Sequence, residues 1–526
     1  MTSAVTTDTK STGRMPRQIP YIIANEGCER FSFYGMRNIL TPFLISTLLL
    51  FLPENMRTGE AKDVFHTFVI GVYFFPLLGG WLADRYFGKY NTILWLSLVY
   101  VCGHACLAIF EDNVKGFYFG LFLIALGSGG IKPLVSSFMG DQFDQTNKDK
   151  ARVVFDAFYW IINFGSFFAS LLMPIFLRDY GPAVAFGIPG VLMFIATVVF
   201  WMGRKKYVNV PPTPHNPHSF MHVARTALLA HKPGAGRPGL VVAAAGVAGA
   251  LVSLALIPTM GFVIAACLAL VLLLAFGGIG TSMQLERARG IHPDVAVDGV
   301  RAVLRILIVF ALVTPFWSLF DQKASTWIVQ ANGMSTDVSL FGLSFSVIPA
   351  QMQALNPLLV MLLIPFNNIA LFPLLRKMGI EPTALRRMTA GIAFSALAWI
   401  VVGWLQLQLD AGDAVSIAWQ ILPYALLTLG EVLVSATGLE FAYSQAPAAM
   451  KGVIMALWSL AVTVGNLWVL IVNAGVKNPG VIANIESSGV GLMAFQMFFF
   501  AGFAMLAALA FGLYARRYKM VDHYRA

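Results

Sequence analysis

Charge is what this 526-residue chain has least of. Asp, Glu, Lys and Arg make up 12% of it, against about 25% in a soluble globular protein. Hydrophobic residues make up 58%, and the mean hydropathy is +0.72. That deficit excludes an ordinary soluble domain and points to a polytopic membrane protein. Cysteine is also scarce. Cys28, Cys102, Cys106 and Cys267 all fall in apolar segments. Cys102 and Cys106 are one helical turn apart, but no His or carboxylate cluster completes a metal site beside them. They read as small buried hydrophobes. GxSxG, HExxH and Walker A patterns are lacking, so no enzyme signature competes. The glycine run GSGG, 127–130, follows an apolar helix rather than a soluble strand, which argues against a phosphate loop. Residues 1–19 are polar and lack the apolar core of a signal peptide, so no cleaved leader is expected.

Long apolar runs are abundant. A spanning helix needs roughly 20 apolar residues, and fourteen segments qualify, near 20–50, 63–84, 91–110, 116–139, 152–177, 182–202, 238–257, 260–280, 302–330, 348–375, 382–407, 414–444, 452–475 and 489–515. An even number puts both termini on one side. With the N-terminus inside, 26 of the 36 Lys and Arg residues fall in inner loops and tails. The outer loops hold Arg57, Lys62, Lys115, Arg178 and Lys477 alone. This bias predicts cytoplasmic termini and explains the net charge of +10 without nucleic acid. The expected architecture is an all-α membrane protein of 6 + 2 + 6 helices. It has a tail 1–19, a six-helix bundle 20–202, linkers 203–300 carrying an uncharged hairpin at about 238–280, a second bundle 301–515 and a tail 516–526. The Pro/His-rich first linker, with VPPTPHNPH at 210–218, reads as a flexible cytosolic connector, with metal binding the minor alternative.

Nine charges lie where lipid should forbid them: Glu26, Glu29, Arg30, Arg37, Lys132, Arg305, Asp321, Lys323 and Glu431. Unpaired, they would cost roughly 20–30 kcal/mol, more than a fold's stability of about 5–15 kcal/mol. They must therefore pair or line water. Positions 26, 30, 33 and 37 share one helical stripe about 16 Å long, with Glu29 beside it and Tyr34 near its middle. This is either an ion-pair cluster locking helices together or a proton-binding element, since burial raises a carboxyl pKa and a nearby arginine lowers it. Lys132 lies among small residues before Pro133, which suits an inward-pointing substrate or ion-pair lysine better than a snorkelling one. Glu431 is a lone deep acid in the second half and suggests an opposite-charge clamp. His66 alone reads as a polar interface residue or a proton carrier.

Five motifs in order then resemble the proton-coupled oligopeptide transporters of the major facilitator superfamily. They are EGCERFSFYG at 26–35 with Phe33 in place of the usual first tyrosine, FYWIINFGS at 158–166, PFWSLFDQKASTW at 315–327, QMQALNP at 351–357, and GEVLVSATGLEFAYSQAP at 430–447. GGWLADRYFGKY at 79–90 is similar to a loop of the wider superfamily. The extra hairpin resembles prokaryotic members. The resemblance implies a symporter importing di- and tripeptides by alternating access, not an enzyme, needing co-transported protons but no cofactor or metal. A related symporter for another zwitterionic or anionic solute, such as nitrate or a peptide-like metabolite, is the alternative. The implied proton-coupling residues are Glu26, Glu29, Arg30 and His66. The implied peptide-binding residues are Tyr34, Arg37, Tyr73, Lys132, Asn163, Trp317, Asn356, Glu431, Ser435 and Trp458. Arg37 and Asp321 would form an outer gate. Asn368 stands where animal members carry an aspartate that pairs with the arginine at position 305, leaving Arg305 to a carbonyl or water, and Lys323 is an unexplained charge near the gate. The expected partners are short peptides, protons and the bilayer, with a monomeric functional unit in a cell membrane, that of a bacterial inner membrane.

Overall fold

The structure is a computed structural model and describes residues 15–144, 148–212, 216–231, 236–340, 343–438, 441, 445 and 451–519. Residues 1–14 and 520–526 of the tails, part of the stretch 438–447 quoted above, and 213–215 of the linker lie outside the described residues. Six long helices come first: α1 Ile19–Phe43, α2 Glu54–Leu82, α3 Gly88–Ile109, α4 Val114–Gly140, α5 Lys148–Tyr180 and α6 Pro182–Met202. A short α7, Phe220–Leu229, precedes the hairpin α8 Pro238–Ala255, α9 Ile257–Met260 and α10 Phe262–Gln284. The second half has α11 Asp294–Asp321, α12 Thr326–Asn332, α13 Leu355–Phe366, α14 Phe372–Lys377, α15 Ala384–Asp410 and α16 Ile421–Glu431. Helices Lys451–Gly475, Pro479–Ser487 and Leu492–Arg517 close the chain.

Proline and glycine set the boundaries. Pro20, Pro182 and Pro238 stand in the first turns of α1, α6 and α8, where a missing N–H costs no helical bond. Gly181 and Gly261 adopt φ of 85° and 79° before α6 and α10, a region that side chains avoid. In the interior of α1, Pro42 is followed by a widened π turn at Leu44–Leu48, the usual relief for a lost backbone bond. Among the described residues, twelve segments are long and apolar enough to cross a membrane; one of them, Glu54–Ile109, takes in both α2 and α3, and α1 with its four charges is not among them.

Each half has its own apolar core. One cluster runs from Ile19 through Phe43, Phe117 and Phe186 to Tyr207. The other runs from Val223 through Phe316, Trp399 and Trp458 to Phe511. A small third cluster of Ile70, Cys267 and Leu467 joins α2, the hairpin and Lys451–Gly475. Small residues let helices touch, as their enrichment in membrane interfaces requires. A Cβ on Gly79 would fall on the Gly129 carbonyl, and one on Gly129 would lie 2.5 Å from the Phe75 carbonyl oxygen. We therefore expect Gly79→Ala to separate α2 from α4 and lose about 1–3 kcal/mol, read as a lower melting midpoint of the purified protein in detergent.

Several elements differ from the sequence expectation. The fold is not wholly α: Asp337–Leu340 pairs antiparallel with Leu343–Ser346, and Ser335 exchanges backbone bonds of 2.8 and 2.9 Å with Val415 and Ile417. The span expected at 302–330 begins at Asp294, just after Pro293, and ends at Asp321. A tight turn at Gln322–Ala324 then leads into α12. The first linker is not a bare connector, because α7 buries Val223 and Ala227 and Gln284 Nε2 donates to the Ala227 carbonyl at 2.9 Å. His218 meets His292 with Nδ1 atoms 2.9 Å apart. Burial, then the neighbouring His218 and His222, hold the His292 pKa below the ordinary histidine value.

Candidate functional site

A face of α1 adjoining the charges is pinned to α6. Asn25 Nδ2 donates to the Ala196 carbonyl at 2.9 Å, and Ser32 Oγ to the Pro189 carbonyl at 2.7 Å while it also meets His104 Nε2 at 3.0 Å. Fixing that face aims the charged stripe at the middle of the protein. Glu26, Glu29 and Arg30 are all buried, Glu29 completely at 0% exposure. Arg30 Nε lies 3.0 Å from Glu26 Oε1 and 2.5 Å from Glu29 Oε2. Two acids thus share one guanidinium, an arrangement in which protonating either acid leaves the arginine charge matched by the other.

Lys132 contacts rings. Its Nζ stands 3.8 Å from the Phe33 centroid and 4.3 Å from the Tyr73 centroid, cation–π distances. It is poised beside the acid pair with its ammonium still available to an anion. In the second half, Asn356 Nδ2 donates to Glu431 Oε2 at 2.6 Å and to Thr428 Oγ1 at 3.1 Å, which orients the carboxylate. Trp317 packs edge-on against Trp458 at 5.9 Å and against Phe320 at 5.7 Å, and its buried indole N–H has no hydrogen-bond partner among the described residues. Ser435 is half-buried on the widened turn Val432–Ala436. Asn163 spends its amide on the Tyr159 carbonyl of its own turn, at 3.0 Å. Arg305 is exposed, as is Asn368. Lys323 is 4% exposed and sits over the Phe320 ring at 3.0 Å.

Arg37 and Asp321 meet across the halves at 2.6 Å, both buried. Asn466 Nδ2 donates to the other Asp321 oxygen at 2.7 Å. His66 bridges Asn466 Oδ1 at 2.6 Å and Ser325 Oγ at 2.9 Å. His66 therefore belongs to this cross-half network, apart from the Glu26–Glu29–Arg30 cluster with which the resemblance groups it. Further links tie the same end. Thr41 Oγ1 donates to the Ala324 carbonyl at 2.9 Å, Gln353 Nε2 to the Asn38 carbonyl at 3.1 Å, and Gln351 Nε2 to the Leu171 carbonyl at 2.9 Å. Asp63 accepts from Asn473 at 2.9 Å and pairs with Lys477.

Sequence reasoning missed Asn466, His104 and the Gln351–Gln353 pair. A lone amide or imidazole inside an apolar run was the available signal; Ser325 lay inside a quoted motif. We expect Asn466→Ala, which strips a donor from Asp321 and an acceptor from His66, to loosen this end. A cysteine at Tyr34 in a background lacking the four native cysteines should then label faster with a membrane-impermeant thiol reagent.

The sequence pattern of the POT family (PTR2) matches residues 90–486. The chain belongs to the POT family. Solute carrier family 15 member 2 of Mus musculus is 33% identical over 414 residues, covering 75% of this chain and 49% of that protein. Peptide transporter 3 of Caenorhabditis elegans is 32% identical over 410 residues, covering 75% and 51%. The chain thus spans about half the length of the curated relatives it matches. Among solved structures, an auto inhibited POT family peptide transporter is 66% identical, with a TM-score of 0.93 over 97% of this chain and 99% of that one. The POT family transporter PepTSo is 68% identical, also at 0.93, over 97% and 100%. This POT-family chain is accordingly a polytopic, mostly helical membrane protein with transporters rather than enzymes for relatives.

Proposed function

We propose that this POT-family protein is a proton-coupled symporter that imports di- and tripeptides by alternating access. Its helices make fourteen spans once α1 is added and α2 and α3 are counted apart, with both termini in the cytoplasm as the basic loops suggest. One observation carries the reading: two cations, the buried Arg37 and the half-buried Lys132, belong to the first half, and the oriented carboxylate of Glu431 belongs to the second. A short peptide is a zwitterion, and a site split this way engages its carboxylate and its amine from opposite halves. Such bridging favours closure by rocking of one half against the other.

In this reading Glu26 and Glu29 carry protons, and Arg30 is released when they do. Tyr34, Tyr73, Asn163, Asn356, Ser435, Trp317 and Trp458 line the peptide site. Arg37–Asp321, with His66 and Asn466, seals the outer side and parts when cargo claims Arg37. The similarity to peptide transporter 3 of Caenorhabditis elegans and to a POT family peptide transporter supports peptides as cargo. The deciding experiment is uptake of a labelled dipeptide into liposomes holding the purified protein. Accumulation above equilibrium under an inward proton gradient is expected, with collapse when an uncoupler is added. Accumulation that persists without the gradient rejects the reading.

A further inference from the structure

An apolar cavity of about 960 Å³ lies between α7, the hairpin and the ends of the long helices. That is the upper end of small-molecule cavities, about 300–1,000 Å³. Its walls are apolar. Leu77 comes from α2, Leu273 from α10, Leu307 from α11 and Leu457 from helix Lys451–Gly475, so both halves contribute. On α7, Met221, Arg225 and Leu229 also line it. These three stand four residues apart, on one stripe of the helix. Met221 is 69% and Leu229 47% exposed, although the opposite face of α7 is packed through Val223 and Ala227. The helix therefore presents an apolar–arginine–apolar stripe to the opening. Among the described lining residues the titratable groups are His222 and Arg225, and no acid faces the cavity. His222 Nδ1 meets Ser219 Oγ at 2.8 Å. Leu273 and Val247 of the hairpin carry the apolar wall outward to the exposed surface of the bundle, where lipid would lie.

We propose that this cavity holds an acyl chain of an anionic phospholipid, with its phosphate on the Arg225 guanidinium. An apolar slot open to the bilayer suits a chain. A basic, acid-free rim at the Lys- and Arg-rich end of the bundle suits a negative headgroup in preference to a zwitterionic one. The chain would lie between Leu77 of the first half and Leu307 and Leu457 of the second, and so touch both halves at once.

The test is native mass spectrometry of the full chain in detergent, counting retained phosphatidylglycerol against phosphatidylcholine of the same chains, with inorganic phosphate as a headgroup-only competitor. The intact protein should retain phosphatidylglycerol about fivefold better, the scale of one basic side chain at a membrane surface. Arg225→Gln should erase that preference and leave phosphatidylcholine retention unchanged. Gly277→Trp fills the cavity from the hairpin side, where a Cβ meets nothing within 4 Å, and should remove both lipids. Gly277→Leu serves in its place if the tryptophan variant fails to keep its melting midpoint in lipid-free detergent. Unchanged phosphatidylglycerol retention in the filled variant, a preference that survives in Arg225→Gln, or displacement of the lipid by inorganic phosphate would overturn the proposal. No peptide or proton gradient enters the measurement, so its outcome is independent of the transport reading.

Discussion

Glu29→Gln in liposomes keeps peptide exchange between two peptide-containing compartments and loses accumulation driven by a proton gradient. Two acids share one guanidinium, with Arg30 Nε 3.0 Å from Glu26 and 2.5 Å from Glu29. With both acids ionised, the cluster carries one excess negative charge in a buried place, and a proton relieves it. A neutral amide at position 29 mimics the relieved state permanently, so the cargo cycle continues while no proton has to enter with it. A potential of 100 mV supplies about 2.3 kcal/mol per charge, which corresponds to an accumulation ratio of roughly 50-fold. The variant should bring that ratio to about one. Counterflow at the intact rate together with lost accumulation supports the role; preserved uphill uptake removes it.

Glu431→Gln should weaken binding of a free dipeptide by about 100-fold and leave an N-acetylated dipeptide unaffected. The carboxylate is held by Asn356 at 2.6 Å, so it is already oriented and little is spent on ordering it. Losing one partner of a buried, hydrogen-bonded charge pair costs about 2–5 kcal/mol, and each 1.4 kcal/mol is tenfold. The acetylated peptide has no ammonium to lose. Competition for uptake of a labelled dipeptide by the two peptides, measured on both proteins, gives the difference. An equal loss for both peptides would mean that Glu431 holds the fold rather than the amine.

The helices were legible because a lipid-facing segment has few ways to satisfy its backbone, and apolar length alone then marks it. The stripe on α1 was legible for a related reason: charges at 26, 30 and 37 share a helical face whatever surrounds them. The Asn356–Glu431 bond and the Arg37–Asp321 contact join residues 75 and 284 positions apart. Their roles were suggested by family resemblance, since local periodicity carries no information on such pairings. Lys132 shows the limit most clearly. Its type and depth marked it as unusual, but that Phe33 and Tyr73 receive it is a matter of packing between α1, α2 and α4. The ends of α11 and the docking of α7 were missed because Pro293, the Gln322–Ala324 turn and Gln284 act through local geometry, while the apolar composition runs on past them. Spacing marked His66 only as a lone imidazole, and the family resemblance grouped it with the proton-coupling acids; Asn466, 400 residues away, gives it its place.

One property of the seam around Asp321 has a thermal consequence. Arg37, Asp321, Asn466, His66 and Ser325 hold it shut with polar contacts. Parting them trades bonds within the protein for bonds to water and uncovers little oily surface at those side chains. Heat capacity follows the oily area uncovered. The enthalpy of parting should therefore stay nearly constant from cold to warm, so the logarithm of the shut-to-parted ratio should fall on a straight line against reciprocal temperature across a cell's growth range.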